Sequence, residues 1–339
     1  MITRFFILLF TTFSCTIQAQ QNYVFHHLTS KDGLGSEFVI SVFQDSKGTY
    51  WVGTTSGLQK FDGYSFSSPL KAGKDLLSSS TVTETKDGTI WISNYNSLFR
   101  YNRTNDRFIP VVPEGDKPKL FLRVIEDSAG NIWLLNDLFL YKYNSNSGSL
   151  ITWLKLPAFD AAMTSGAITY TKNANFIWIQ NGKTLYKISP LTKTVSKQEE
   201  MPHQAANIWA DGSSYLWLSY WTQYLCKYNI YTGKREWFTM PFQNKGSNTF
   251  HFAVANCYAR DENGKLWIGA MDGGLWYYDE LTNKIVQVKT DNLKPESFHF
   301  NENIYSITID RTGNIWVGSD RGINIFNPSQ INFSSVSLP

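Results

Sequence analysis

The chain has 339 residues, of which 16% are aromatic and only 17% charged, with 23 Gly and 11 Pro. A formal charge of +3 gives no field strong enough to hold a polyanion, which argues against nucleic acid as a partner. Abundant aromatics among frequent turn formers favour short strands joined by tight turns, so the composition points to an all-β fold.

The first element is a leader. MITRFFILLFTTFSCTIQAQ places Arg4 before an apolar run from Phe5 to Phe13 and ends in Ala19 and Gln20, the layout of a cleaved secretory signal. The run is far short of the roughly 20 apolar residues that a helix needs to cross a bilayer. TFSC lacks the Leu usually found three residues before a lipid-bearing cysteine, so simple cleavage near Ala19 is expected instead of acylation of Cys15. Residues 1–20 are therefore read as a signal peptide and 21–339 as one exported, periplasmic domain. Nothing after residue 20 approaches a membrane span.

From there one phrase recurs. GTYWVGTTSGLQKF (Gly48–Phe61) returns as GTIWISNYNSLFRY (Gly88–Tyr101) and as GNIWVGSDRGINIF (Gly313–Phe326). Aligned on tryptophan, the copies centre on Trp51, Trp91, Trp133, Trp178, Trp217, Trp267 and Trp316, 39 to 50 residues apart. That period with β character indicates propeller blades. Before the Trp stands a turn signal, as in DSKG (Asp45–Gly48), DSAG (Asp127–Gly130), DENG (Asp261–Gly264) and DRTG (Asp310–Gly313), where Gly supplies positive φ. After it comes an aliphatic and then, three residues on, an aromatic or Ile: Leu58/Phe61, Leu98/Tyr101, Leu140/Tyr143, Leu185/Ile188, Leu225/Tyr228, Leu275/Tyr278 and Ile323/Phe326.

Each copy reads as four strands: an apolar inner strand such as FVISVFQD (Phe38–Asp45), the Trp strand, the Leu-aromatic strand, and a variable edge such as REWFTM (Arg235–Met240). One such sheet cannot bury both of its apolar faces, whereas seven packed face to face around an axis can. The expected fold is a seven-bladed β-propeller of four-stranded antiparallel blades. Two segments compete to close blade seven, Asn22–Leu28 and Ile331–Leu338. The N-terminal one is expected there, because it would tie the two ends of the ring together.

Two cysteines follow the leader, Cys226 and Cys257, and neither they nor the five His residues show metal-ligand spacing. No metal or cofactor is expected, and the two thiols are read as free and buried. The seven tryptophans stand at a fixed mid-strand position, which assigns them to packing between blades and not to stacking on sugars.

With GNIWVGSDRGINIFNP in hand, the chain resembles the two-component regulator propeller repeat, Gly-x-Ile-Trp-[Val/Ile]-Gly followed by a loop ending in Gly and Leu-x-[Lys/Arg]-[Phe/Tyr]-[Asp/Asn]. The match covers nearly all of Asn22–Ser337 and is strong in blades one, two, six and seven. NIWLLND lacks the second Gly, NANFIWIQN has Asn175 at the hairpin Gly, and SSYLWLSYW has Ser213 and Ser214 at the turn. The resemblance implies the periplasmic part of a hybrid two-component sensor, in which two propellers usually precede a β-sandwich, a membrane span and a histidine kinase. It further implies glycan breakdown products as ligands, and a second propeller or membrane-bound sensor as partner. No kinase motif is present, so the function carried over is ligand sensing.

The loops after the Trp strands lie on the face where the chain crosses between blades. Tyr95, Tyr220 and Trp221 are aromatics there that the repeat does not require, suited to stacking on a sugar face. Lys183, Asp272, Asp320 and Arg321 sit in matching loops, suited to hydroxyls or to a uronate or sulfate. These seven are the candidate ligand residues. An interaction scaffold is the alternative, and the repeats are also similar to those of streptogramin lyases, which use a His base and a metal. That reading needs His251, His299, Glu296 and Asp272 to converge, without a spacing motif to support it, so the chain is read as a non-enzyme.

Overall fold

Each of the seven tryptophans lies in the second strand of its own four-stranded antiparallel sheet. The computed structural model describes residues 23–68, 81–94, 97–113, 123–135, 139–155, 167–203, 205–212, 214–222, 224–243, 250–288 and 303–330. The leader and the Ile331–Leu338 segment lie outside them. Blade one is Val39–Gln44, Tyr50–Thr54, Gly57–Phe61 and Phe66–Ser67. Blades two to six fall within 81–110, 124–155, 167–200, 205–239 and 254–287. Blade seven is Ile304–Ile309, Ile315–Ser319 and Gly322–Phe326, and its fourth strand is His26–Leu28 from the N-terminus. The expected closure is thus observed. The long connection after blade five holds an unanticipated hairpin, Pro241–Gln243 with Phe250–Phe252, which carries His251.

The seven apolar clusters are seven interfaces, each joining the Trp of one blade to the next blade in the chain. Trp51 packs with Val82, Ile90 and Ile92 of blade two, and Trp316 packs with Val39, Val42 and Val52 of blade one, so the ring closes on itself. The tryptophans are at most 5% exposed, which excludes their faces from any ligand. The aromatic three residues past the Leu now has a reason. It presents its ring edge-on to the indole of the preceding blade, as Tyr101 does to Trp51, Tyr143 to Trp91, Tyr278 to Trp217 and Phe326 to Trp267, with centroids 4.9 to 5.1 Å apart. Such pairs contribute about 0.5–1.5 kcal/mol beyond burial. Where blade four has Ile188, the edge partner of Trp133 is Trp153 from its own outer strand, at 4.8 Å.

The hairpin aspartates also hold the indoles. Trp51, Trp133, Trp267 and Trp316 donate Nε1–H to Asp45, Asp127, Asp261 and Asp310 at 2.8–2.9 Å. The same carboxylates accept turn N–H groups, as Asp310 does from Thr312 and Asn314. Thr85 and Thr171 replace them for Trp91 and Trp178. The hairpin Gly is left-handed at Gly48, Gly130, Gly264 and Gly313, and Asn175 takes the same conformation at φ 53 in blade four.

Burial pushes the Asp310 carboxyl up, but hydrogen bonds from Trp316, Thr312, Tyr50 and Asn314 outweigh it and bring its pKa from 3.8 down to about 2. A depressed carboxylate contributes stability that is present above its unfolded pKa and is lost as pH falls through the folded one. The melting temperature should therefore fall between about pH 4 and pH 2. Asp310→Asn should flatten the profile in that window, and a variant profile parallel to the wild type would show that Asp310 is not its source.

At the axis, the inner strands leave one edge without a ladder partner, and side chains from neighbouring blades cover it. A one-residue irregularity recurs at the same point of blades one, five, six and seven, at Val39/Ser41, Ala205/Asn207, Ala255/Cys257 and Ile304/Ser306. Such bulges re-aim side chains. Asn207 donates to Asn256 O, Asn256 to Ile304 O at 3.2 Å, and Val42 N to Ser306 Oγ at 2.9 Å. Arg123 of blade three reaches blades four and five. On the hairpin face, Ser46 N donates to Glu84 and Lys86 N to Glu126, linking consecutive blades.

Cys226 is buried, Cys257 half-buried, and both are free thiols. Burial pushes Cys226 up to about 12, which leaves it protonated and unreactive at neutral pH. Among the described residues no helix is long and apolar enough to cross a membrane.

Candidate ligand site at the mouth of the ring

The loops between second and third strands share one face with the crossings between blades. In blade four Met201 N donates to Lys183 O at 2.7 Å and Gln180 Nε2 to His203 O at 2.8 Å. In blade six Asp272 N donates to Asn303 Oδ1 at 2.9 Å. The candidate residues are therefore on one mouth, but they form two groups, and Tyr95 lies outside the described residues.

The first group spans blades four and five. Tyr220 ends its strand (Tyr215–Tyr220), and the fold encloses it completely between the blades. A sugar face cannot reach its ring, which corrects the expectation that it stacks on ligand. Among the described residues its hydroxyl has no hydrogen-bond partner. Trp221, the next residue, is 49% exposed, and Trp237 on the outer strand of blade five is 40% exposed. His203 and Tyr224 are stacked with ring centroids 5.4 Å apart, and Tyr224 meets Trp237 edge-on at 6.1 Å. Trp237, Tyr224 and His203 were not singled out in the sequence, because only the spatial order of outer strand, third strand and crossing brings them together. Gln180 is buried, and its Oε1 lacks a partner among the described residues. Lys183 is exposed; together with the hydrogen bond from Lys197, which acts first, it holds the Glu200 carboxyl below its ordinary range.

The second group spans blades six and seven. Asn303 donates through Nδ2 to Asp320 Oδ2 at 2.7 Å while receiving Asp272 N. Asp320 is thus a clamp on the crossing, and Asp272, at φ 57, is an exposed loop residue. Burial first, then Asp320 and Asp272, raise the pKa of the adjacent Tyr305, whose ring packs on Phe38 at 4.8 Å. Arg321 is exposed, with its backbone N–H on Ser319 Oγ at 3.1 Å.

On the opposite face a cavity of about 440 Å³ is lined by Phe43, Glu84, Lys86, Glu126 and Lys172 among others. Glu84 already accepts from Ser46 and Arg103, and Glu126 from Lys86, so its carboxylates serve the links between blades. Of the residues a lyase would need, His299 and Glu296 lie outside the described residues. Among those described, no three His, Cys, Asp or Glu side chains group as a metal site.

The two-component regulator propeller family model matches residues 33–56 and 299–321. Histidine kinase P4 of Formosa agariphila is 44% identical over 63 residues, covering 18% of this chain and 5% of the kinase. The extracellular domain of a hybrid two-component system of B. thetaiotaomicron superposes with a TM-score of 0.72 at 23% identity, over 92% of this chain and 40% of that one. Virginiamycin B lyase of Staphylococcus aureus superposes with a TM-score of 0.69 at 13% identity, over 90% of this chain and 99% of the lyase. The chain spans less than half of the sensor domain and a small part of the kinase. At these identities the structural likenesses establish the propeller fold alone. The chain is thus a seven-bladed propeller, and two of its stretches, in blade one and at the entry to blade seven, are similar to the two-component regulator propeller model.

Proposed function

We propose that this propeller is the ligand-binding part of an extracytoplasmic two-component sensor, that it takes a glycan-derived oligosaccharide at the mouth of blades four and five, and that it binds without turnover. The observation that carries the reading is the contrast among indoles. The seven repeat tryptophans are enclosed, whereas Trp221 and Trp237 are exposed, Trp237 beside the His203–Tyr224 stack. Exposed aromatic surface flanked by buried unpaired polar atoms, here Gln180 Oε1 and Tyr220 OH, suits a ligand with apolar ring faces and hydroxyl edges. Lys183 extends the site, and Asp272 and Arg321 extend the rim toward blade seven, with Asp320 bracing it. The leader 1–20 would deliver the chain to the periplasm, where a second propeller or a membrane-bound sensor is its partner.

Calorimetric titration of an oligosaccharide panel tests this. Trp221→Ala is expected to weaken the best binder about tenfold, equivalent to about 1.4 kcal/mol, and Arg321→Ala to weaken only acidic ligands. Unchanged affinity in both variants would move the site elsewhere. Chelator-sensitive cleavage of any ester or glycan would replace the sensor reading with an enzymatic one.

A further inference from the structure

Arg123 is used by neither the repeat nor the mouth site. It enters the inner strand of blade three and crosses the channel: Nη1 donates to Ile168 O at 3.2 Å and Ile208 O at 3.0 Å, and Nη2 to Asn207 Oδ1 at 3.2 Å. All three acceptors are neutral. Among the described residues no carboxylate pairs with it, although Arg103, Arg235 and Arg260 each have at least one. A guanidinium has five N–H groups, so two remain.

Arg123 is half-buried where it spans from blade three to blades four and five. Burial lowers the Arg123 pKa, while the side chain keeps some accessible surface. Burial raises the pKa of Cys257 and Tyr258 in blade six, and Arg123 pulls each back down, so the cation is within electrostatic range of both. The Tyr258 hydroxyl and that of Ser219, close enough for Ser219 to lower the Tyr258 pKa as well, are buried without completing a hydrogen bond of ordinary geometry. An enclosed charge without a counter-charge is costly, and low-dielectric walls strengthen its pull on an anion.

We infer that the axial channel is an anion site, in which the two unused N–H groups of Arg123 hold a carboxylate or small oxyanion. The anion comes either from the acidic group of a ligand or from free inorganic ions. The inference does not depend on the mouth site.

The test is thermal unfolding at fixed ionic strength, with sodium chloride exchanged for sodium sulfate or for sodium glucuronate, on wild type and Arg123→Gln. Sulfate stabilises proteins in general by exclusion from their surfaces, so the readout is the difference between the two proteins. The wild type is expected to gain roughly 2 °C or more over the variant. A gain in glucuronate alone assigns the site to a ligand carboxylate, and a gain in sulfate assigns it to an inorganic oxyanion. Equal responses of both proteins to both salts would overturn the inference, since a merely structural Arg123 lowers the melting temperature without changing its anion dependence. Should Arg123→Gln not fold, wild-type calorimetry with the same two anions decides, and the absence of saturable heat with either overturns it. Saturable heat that persists in Trp221→Ala keeps the channel distinct from the mouth, so the two readings fail separately.

Discussion

Phe25→Ala is expected to destabilise the whole ring by about 3–5 kcal/mol, the range for removing a buried aromatic, and to abolish the cooperativity of blade seven with blade six. Phe25 is 3% exposed and packs on Phe326 at 4.8 Å, while Tyr23 meets Trp267 edge-on at 5.5 Å. His26, His27 and Leu28 pair with Ile325, Asn324 and Ile323. The first residues of the ring thus complete the last blade, and they cover the interface where Trp267 of blade six meets blade seven. A second variant reaches the same seam by another route. Gly322 has φ +105, and an added Cβ would lie 2.4 Å from Leu28 O, so Gly322→Ala must push the closing strand away without deleting any apolar group. Urea unfolding of both variants checks the expectation. A loss below about 1 kcal/mol in both would mean that the ring is held closed by the contacts of Trp316 with blade one alone, and that the N-terminal strand is only a cover.

The blades were legible because the repeat keeps its chemistry where geometry is strictest. A hairpin needs positive φ at Gly48 or Gly313, and a strand buried on both faces must be apolar throughout. What those residues touch was less legible. The hairpin Asp reads as a turn former, and only the fold shows that it also accepts from the indole six residues on. The links between blades at the axis are not spelled out by the repeat, since Asn207, Asn256 and Arg123 act through bulges and through the free edge of the inner strand. At the mouth, Lys183, Trp221, Asp272, Asp320 and Arg321 lie in the loops their spacing indicates, but Tyr220 closes its strand one residue before the loop begins, so it is buried in the interface while Trp221 is exposed. His203, Tyr224 and Trp237 belong to three different segments, and no spacing in the chain relates them.

The hydrogen bond between hairpin and indole leads to a comparison of two tryptophans. Trp316 donates to Asp310 at 2.9 Å, whereas the indole N–H of Trp217 is buried without a partner among the described residues. In blade five the matching carboxylate, Asp211, is instead engaged by Arg260 of blade six at 3.2 Å. Replacing either tryptophan with Phe removes similar volume from an interface where the ring is at most 5% exposed, so the packing loss is comparable, on the order of 1–3 kcal/mol. The polar consequences are opposite. Trp316→Phe takes a donor from a buried carboxylate whose pKa depends on it, while Trp217→Phe removes an orphaned donor that was already unfavourable. Trp316→Phe should therefore be the more destabilising by about 1–3 kcal/mol near neutral pH. The gap should narrow toward pH 2, where Asp310 becomes protonated and the bond it accepts is weakened. Equal losses at neutral pH, or a gap that does not change with pH, would show that the seven indoles act through packing alone and that the recurring Asp is there for the turn.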